Sequence, residues 1–137
     1  MPLVRPFEGQ HPVLGEGVYL AEGAMVIGDV VLGPESSVWF HAVVRGDVHF
    51  VRIGARVNVQ DLTVIHVTGE RFPCVIEDDV IIGHRAVVHG CTVRRRALIG
   101  IGSVILDGAE IGADAMVAGG AVVSPGTRLP PGMVAMG

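Results

Sequence analysis

The chain has 137 residues, of which 50% are hydrophobic, 18% charged and 4% aromatic; this supports one compact domain with an aliphatic core and excludes a disordered chain. The formal net charge of −4 provides no basic field to attract nucleic acid or an anionic membrane. All ten basic residues are Arg, and the two cysteines, Cys74 and Cys91, lack the spacing of a disulfide framework or a thiolate zinc site.

Met1 to Pro12 reads as a lead-in without the basic-then-apolar order of an export signal. No charge-free stretch reaches the roughly 18 apolar residues of a spanning helix, so a cytoplasmic location is expected. From Leu14 an aliphatic side chain recurs at every sixth position, through Leu20, Val26, Leu32, Val38 and Val44. After a three-residue slip it resumes at Ile53, Val59 and Ile65, and after a loop at Ile76, Ile82 and Val88. The frame then slips back by one and runs through Val93, Ile99, Ile105, Ile111, Val117, Val123 and Leu129. Four residues beyond many of these stands a small or β-branched side chain, as at Ala24, Ser36, Ala42, Thr63, Ala86, Ala97, Ser103, Ala109, Ala115 and Ala121.

A period of six fits neither an amphipathic helix, at 3.6, nor a hairpin meander. It suits an all-β parallel β-helix in which the large aliphatic residue fills a triangular prism and the small one fits a corner. Nineteen such hexapeptides, three to a coil, give about six coils stacked at roughly 4.8 Å. The pattern resembles that of left-handed β-helices, and the left hand is implied by that resemblance alone. A single domain over residues 1–137 is expected, interrupted at Asp47 to Arg52 and by a protruding loop at 67–75. Cys91 reads as a small core residue, Cys74 as a thiol of that loop, and Asn58 as a corner residue bonding backbone. Arg94-Arg95-Arg96 reads as a solvated corner, with an anion-binding patch as the alternative.

With the three walls numbered in chain order, the residue after each inward aliphatic on wall three forms a column: Ile27, Arg45, His66, His89, Leu106 and Ser124. His66 and His89 are therefore vertical neighbours, close enough to share one metal. His84 falls on wall two, turned away from them. In a closed threefold ring wall two of one subunit meets wall three of the next, so the spacing predicts a homotrimer with interfacial His66, His89 and His84. Outward histidines that merely hydrogen-bond across the interface are the alternative reading. Three neutral imidazoles suit zinc and leave a position open for water, with iron(II) or cobalt(II) able to take the same ligands.

Arg45-Gly46-Asp47, Ile53-Gly54, Asn58-Val59-Gln60-Asp61, His66, Ile82-Gly83-His84 and His89-Gly90-Cys91 together resemble the gamma-class carbonic anhydrases and their relatives, the ferripyochelin-binding and hexapeptide-repeat transferase proteins. The likeness spans nearly the whole chain. It implies zinc held by His66, His84 and His89 across a homotrimer, with Gln60 contacting substrate or the metal's water ligand. It also implies that Arg45, Asp47 and Asp61 order the site and tie subunits together, either as a structural ion-pair network or with a share in catalysis. The chain departs from the resemblance at Val48, where a glutamate would follow Arg-Gly-Asp. The acidic loop is also lacking, leaving Glu70 as the nearest acid after His66, and the sequence stops at Gly137 where the resemblance implies a C-terminal helix. Reversible hydration of carbon dioxide to bicarbonate is the implied activity, slowed by the loss of a proton carrier. Acyl transfer or thioester hydrolysis on a coenzyme A substrate, and a metal-stabilised scaffold with little turnover, are the alternatives.

Overall fold

Six residues suffice for one short strand and one bend, and valine-rich hexapeptides pair in register because every rung presents the same aliphatic side chain inward. The computed structural model describes residues Met1–Gly137 as a solenoid of 19 parallel-paired strands, most of two or three residues, with no helix. Wall two is a seven-stranded sheet built from Tyr19–Leu20, Ser37–Val38, Asn58–Val59, Ile81–Ile82, Leu98–Ile99, Met116–Val117 and Val134–Ala135. Walls one and three belong to one 12-stranded sheet because Met25–Leu32 and Val43–Ile53 run round the corner between them.

Every inward column of the period-six reading pairs as expected, for example Val44 with Ile65, Val59 with Ile82 and Ile105 with Val123. Wall two has seven rungs rather than six, because Val134–Ala135 pairs beyond the last hexapeptide counted. The lead-in likewise contributes Leu3–Arg5, which stacks on wall three with Val4 opposite Val26. All the aliphatic positions are buried except Leu14, Leu20 and Leu129, which lie in the end coils. Buried corner hydroxyls are satisfied: Ser36 donates to the Gly54 carbonyl at 2.8 Å and Thr63 to the Gly83 carbonyl at 2.9 Å.

Stacking also explains the glycine after the aliphatic residue. A Cβ on Gly33 would sit 2.4 Å from the Gly54 carbonyl carbon of the next rung. Cys74 is a correction to the sequence reading: it is fully buried at the corner where the frame restarts, pairs in register with Val51 and packs on Cys91. The Cys74 contact and burial push the Cys91 thiol well above its ordinary pKa, and both cysteines are buried core residues.

The outward faces differ sharply. Wall one and its corners carry Arg52–Asp29, Arg56–Asp79, Arg96–Asp114 and an Arg94 held by both Glu77 and Glu110 at 2.9 Å. Arg94 and Arg96 are thus committed to carboxylates, as a solvated corner requires. Wall three instead shows the in-register apolar column Met25, Val43, Val64, Val87, Val104 and Val122. Wall two shows Ile81, Leu98, Met116 and Val134, all exposed.

Candidate metal centre

The three-residue slip after Val44 appears as a bulge. Gly46 pairs with Gly28 and Val51 with Val30, so Asp47 to Phe50 stand opposite the single residue Asp29. The segment stays within Val43–Ile53 instead of leaving the prism as a loop, and it swings the Asp47 carboxylate toward His66. His66 and His89 end the strands Val64–His66 and Val87–His89 and lie opposite one another in register. Their ring centroids are 5.2 Å apart at 74°.

Each imidazole has one nitrogen beside a carboxylate, hydrogen-bonded in His66 and His89 and at ion-pair distance only in His84. His66 Nε2 lies 2.8 Å from Asp47 Oδ1, His89 Nδ1 lies 2.7 Å from Asp107 Oδ1, and His84 Nδ1 lies 3.0 Å from Asp61 Oδ1. The other nitrogen of each ring is left without a protein partner. A carboxylate on one ring nitrogen fixes the tautomer and makes the opposite nitrogen a better ligand, so this donor chemistry fits a divalent metal that accepts imidazole. Burial opposes charge on Asp47, yet His66, the Val48 N–H and Arg45 outweigh it and hold the carboxyl below its ordinary pKa. Asp107 behaves alike: burial raises it, and the Thr68 hydroxyl, His89 and the Arg71 charge bring it down.

The residues singled out in the sequence fall into two groups. Arg45, Asp47, His66 and His89 gather on wall three, with Arg45 paired to Asp47. Gln60, Asp61 and His84 gather on and beside wall two, where Gln60 lines an apolar groove with Ile81, Leu98, Ile101 and Met116. Within one protomer no three such side chains converge as a metal requires. Asn58, on the same wall, does not bond backbone as expected: its Oδ1 is buried with no partner. A buried acceptor left without a donor costs about 1–3 kcal/mol.

The sequence reading missed Asp107 and Thr68. Asp107 stands one rung beyond His89 and one residue past Leu106, the residue in register with that histidine, and nothing in the sequence marks it. Glu70 lines a cleft with Asp47, Val48 and, from the lead-in, Phe7 and Glu8.

No family model matches the sequence. The chain is 44% identical over 130 residues to Gamma carbonic anhydrase 2, mitochondrial, of Arabidopsis thaliana, covering 91% of this chain and 47% of that protein. It is 44% identical to a Carbonic anhydrase of Geobacillus kaustophilus, covering 80% of this chain and 60% of that one. Among solved structures, a candidate acetyltransferase from Bacillus cereus superposes with TM-score 0.95 at 42% identity, covering 97% of this chain and 77% of that one. A hexapeptide transferase family protein from Anaplasma phagocytophilum superposes at 0.94 with 33% identity, covering 98% and 79%. The chain belongs to the hexapeptide-repeat family of these two structures. It spans about half to three fifths of the length of these curated relatives. Hexapeptide-repeat architecture is thus common to proteins named for two different chemistries, and the fold alone does not choose between them.

Proposed function

We propose that the protein is a metal-dependent carbonic anhydrase of the gamma type, assembled as a homotrimer whose wall-two and wall-three half-sites meet between subunits. The observation that carries this reading is the division of three imidazoles over two walls of one protomer, each with a carboxylate beside one nitrogen and the other nitrogen free. Apolar columns on those same two walls, against a charged wall one, support a ring that buries both and leaves wall one in water.

His66 and His89 of one subunit with His84 of the next would hold the metal, and zinc suits this all-nitrogen set. When bound, such a metal supplies the Lewis acidity that makes water nucleophilic near neutral pH. Asp47, Asp107 and Asp61 orient the three rings, and Arg45 keeps Asp47 charged. Gln60 brings an amide to the wall-two side, where it can orient carbon dioxide or bicarbonate beside the apolar surface of Ile81 and Leu98. Glu70 and Glu8, which line the cleft with Asp47, are the acids that would carry protons from it to solvent.

Stopped-flow carbon dioxide hydration by the zinc-loaded protein, beside metal-free protein and a panel of acyl-CoA thioesters, tests the reading. Metal-dependent hydration is the expected result, and acyl transfer or thioester cleavage without hydration would reject it. A second reading, acyl transfer, is favoured by the transferase names of the two superposed structures and by the groove beside Gln60.

A further inference from the structure

His89 is braced by more than its own rung. Asp107 reaches it from the next coil through Oδ1, and the other oxygen of the same carboxylate accepts the Thr68 hydroxyl at 2.6 Å. Thr68 belongs to the segment that leaves the prism after His66, and it closes a small hairpin in which Thr68 and Phe72 exchange both backbone hydrogen bonds, at 3.0 and 3.1 Å. Phe72 then packs on Gly90 through its Cβ and on Gly108 through its ring. A Cβ at Gly90 would stand 2.9 Å from Phe72 Cβ, and one at Gly108 would stand 3.1 Å from its Cε1. These two glycines directly follow His89 and Asp107, and their backbones are bonded to each other at 2.8 Å. The loop is therefore fastened to the two rungs that carry the histidine and its carboxylate, once through a hydroxyl and once through an aromatic ring.

A carboxylate can only accept from a neutral imidazole, so Asp107 selects the tautomer with the proton on Nδ1 and leaves the Nε2 lone pair available. The Thr68 hydroxyl fixes the plane of that carboxylate, which otherwise could rotate and accept from water. We propose that Asp107 and Thr68 are positioning residues for His89, Asp107 setting its tautomer and Thr68 tying that setting to the 68–72 hairpin. The inference rests on the metal reading for its purpose but not for its test.

Long-range nitrogen–proton correlation spectra of the metal-free protein report the His89 tautomer directly. The wild type is expected to show the Nδ1–H form. Asp107→Ala is expected to move it toward the Nε2–H form favoured in water, Thr68→Val to move it part-way, and Thr68→Ser to restore it. Zinc affinity, read by competition with a chromophoric chelator, is expected to fall about 10- to 100-fold in Asp107→Ala. Should Asp107→Ala fail to fold, Thr68→Val, isosteric and outside the prism wall, gives the same readout. A wild-type Nε2–H form, or an unchanged tautomer in either folded variant, overturns the proposal. If the wild type binds no zinc, the metal reading fails, while the tautomer still decides the positioning role.

Discussion

Two half-sites on different walls can be tested by mixing subunits that are each damaged on one wall. His84→Ala empties wall two, and His66→Ala with His89→Ala empties wall three; both variants retain the apolar columns through Val64, Val87, Ile81 and Leu98. In a closed ring each contact joins wall three of one subunit to wall two of the next, so neither variant alone forms a complete site. After joint refolding of equal amounts, a contact has an even chance of an intact wall three and independently of an intact wall two. About one quarter of contacts should then be complete, or about 0.25 tight zinc per chain against one per chain in the wild type. Varying the mixing fraction x should trace x(1−x), a parabola with its peak at equal amounts. Zinc remaining after gel filtration against a chelator, measured by elemental analysis, reads this directly. A mixture that retains no more zinc than its parents, or His84→Ala retaining it alone, would refute the interfacial arrangement.

Removing the metal from the intact protein should lower the melting temperature, since free zinc at a hundredfold excess over Kd is worth about 2.7 kcal/mol; an unshifted melt after chelation counts against metal held by the folded state. Ile99→Ala, in a fully buried mid-prism rung, should cost about 2–5 kcal/mol, whereas Leu14→Ala, at an exposed end coil, should cost well under half as much in denaturant titrations. Equal costs would mean the end rung is covered in solution. Asp79 and Asp114 lie below the ordinary carboxylate pKa because the Arg56 and Arg96 guanidinium groups hydrogen-bond to them. Their stabilising contribution is complete above about pH 4 and is lost as acid titrates them through their lowered folded values. Melts across that range should show the fall, and Arg56→Gln should flatten it.

The spacing of Leu14 through Leu129 determined the prism, its register and the pairing of His66 with His89, because a rung of a solenoid contacts only its neighbours and repeats their pattern. The same arithmetic assigned His84 to another wall. It failed where the frame breaks. Cys74 was assigned to a loop because the aliphatic count resumes only at Ile76, although the strand Cys74–Ile76 and its buried corner begin two residues earlier. Asp107 was invisible because nothing in an Asp after Ile105-Leu106 distinguishes a turn residue from the partner of a histidine 18 positions earlier.

Charge on the corners was equally hidden. Glu35, Arg56, Asp79, Arg96 and Asp114 stack rung on rung with alternating sign, each in the left-handed region of backbone space, yet in the sequence they stand about twenty residues apart. Composition and period dictated what fills the interior, since burial of aliphatic side chains is non-directional and needs only the right size at the right interval. Which carboxylate oxygen meets which imidazole nitrogen depends on direction over a few ångströms, and that was decided by the bulge after Gly46 and the hairpin at Thr68, features that exist only once the coils are stacked.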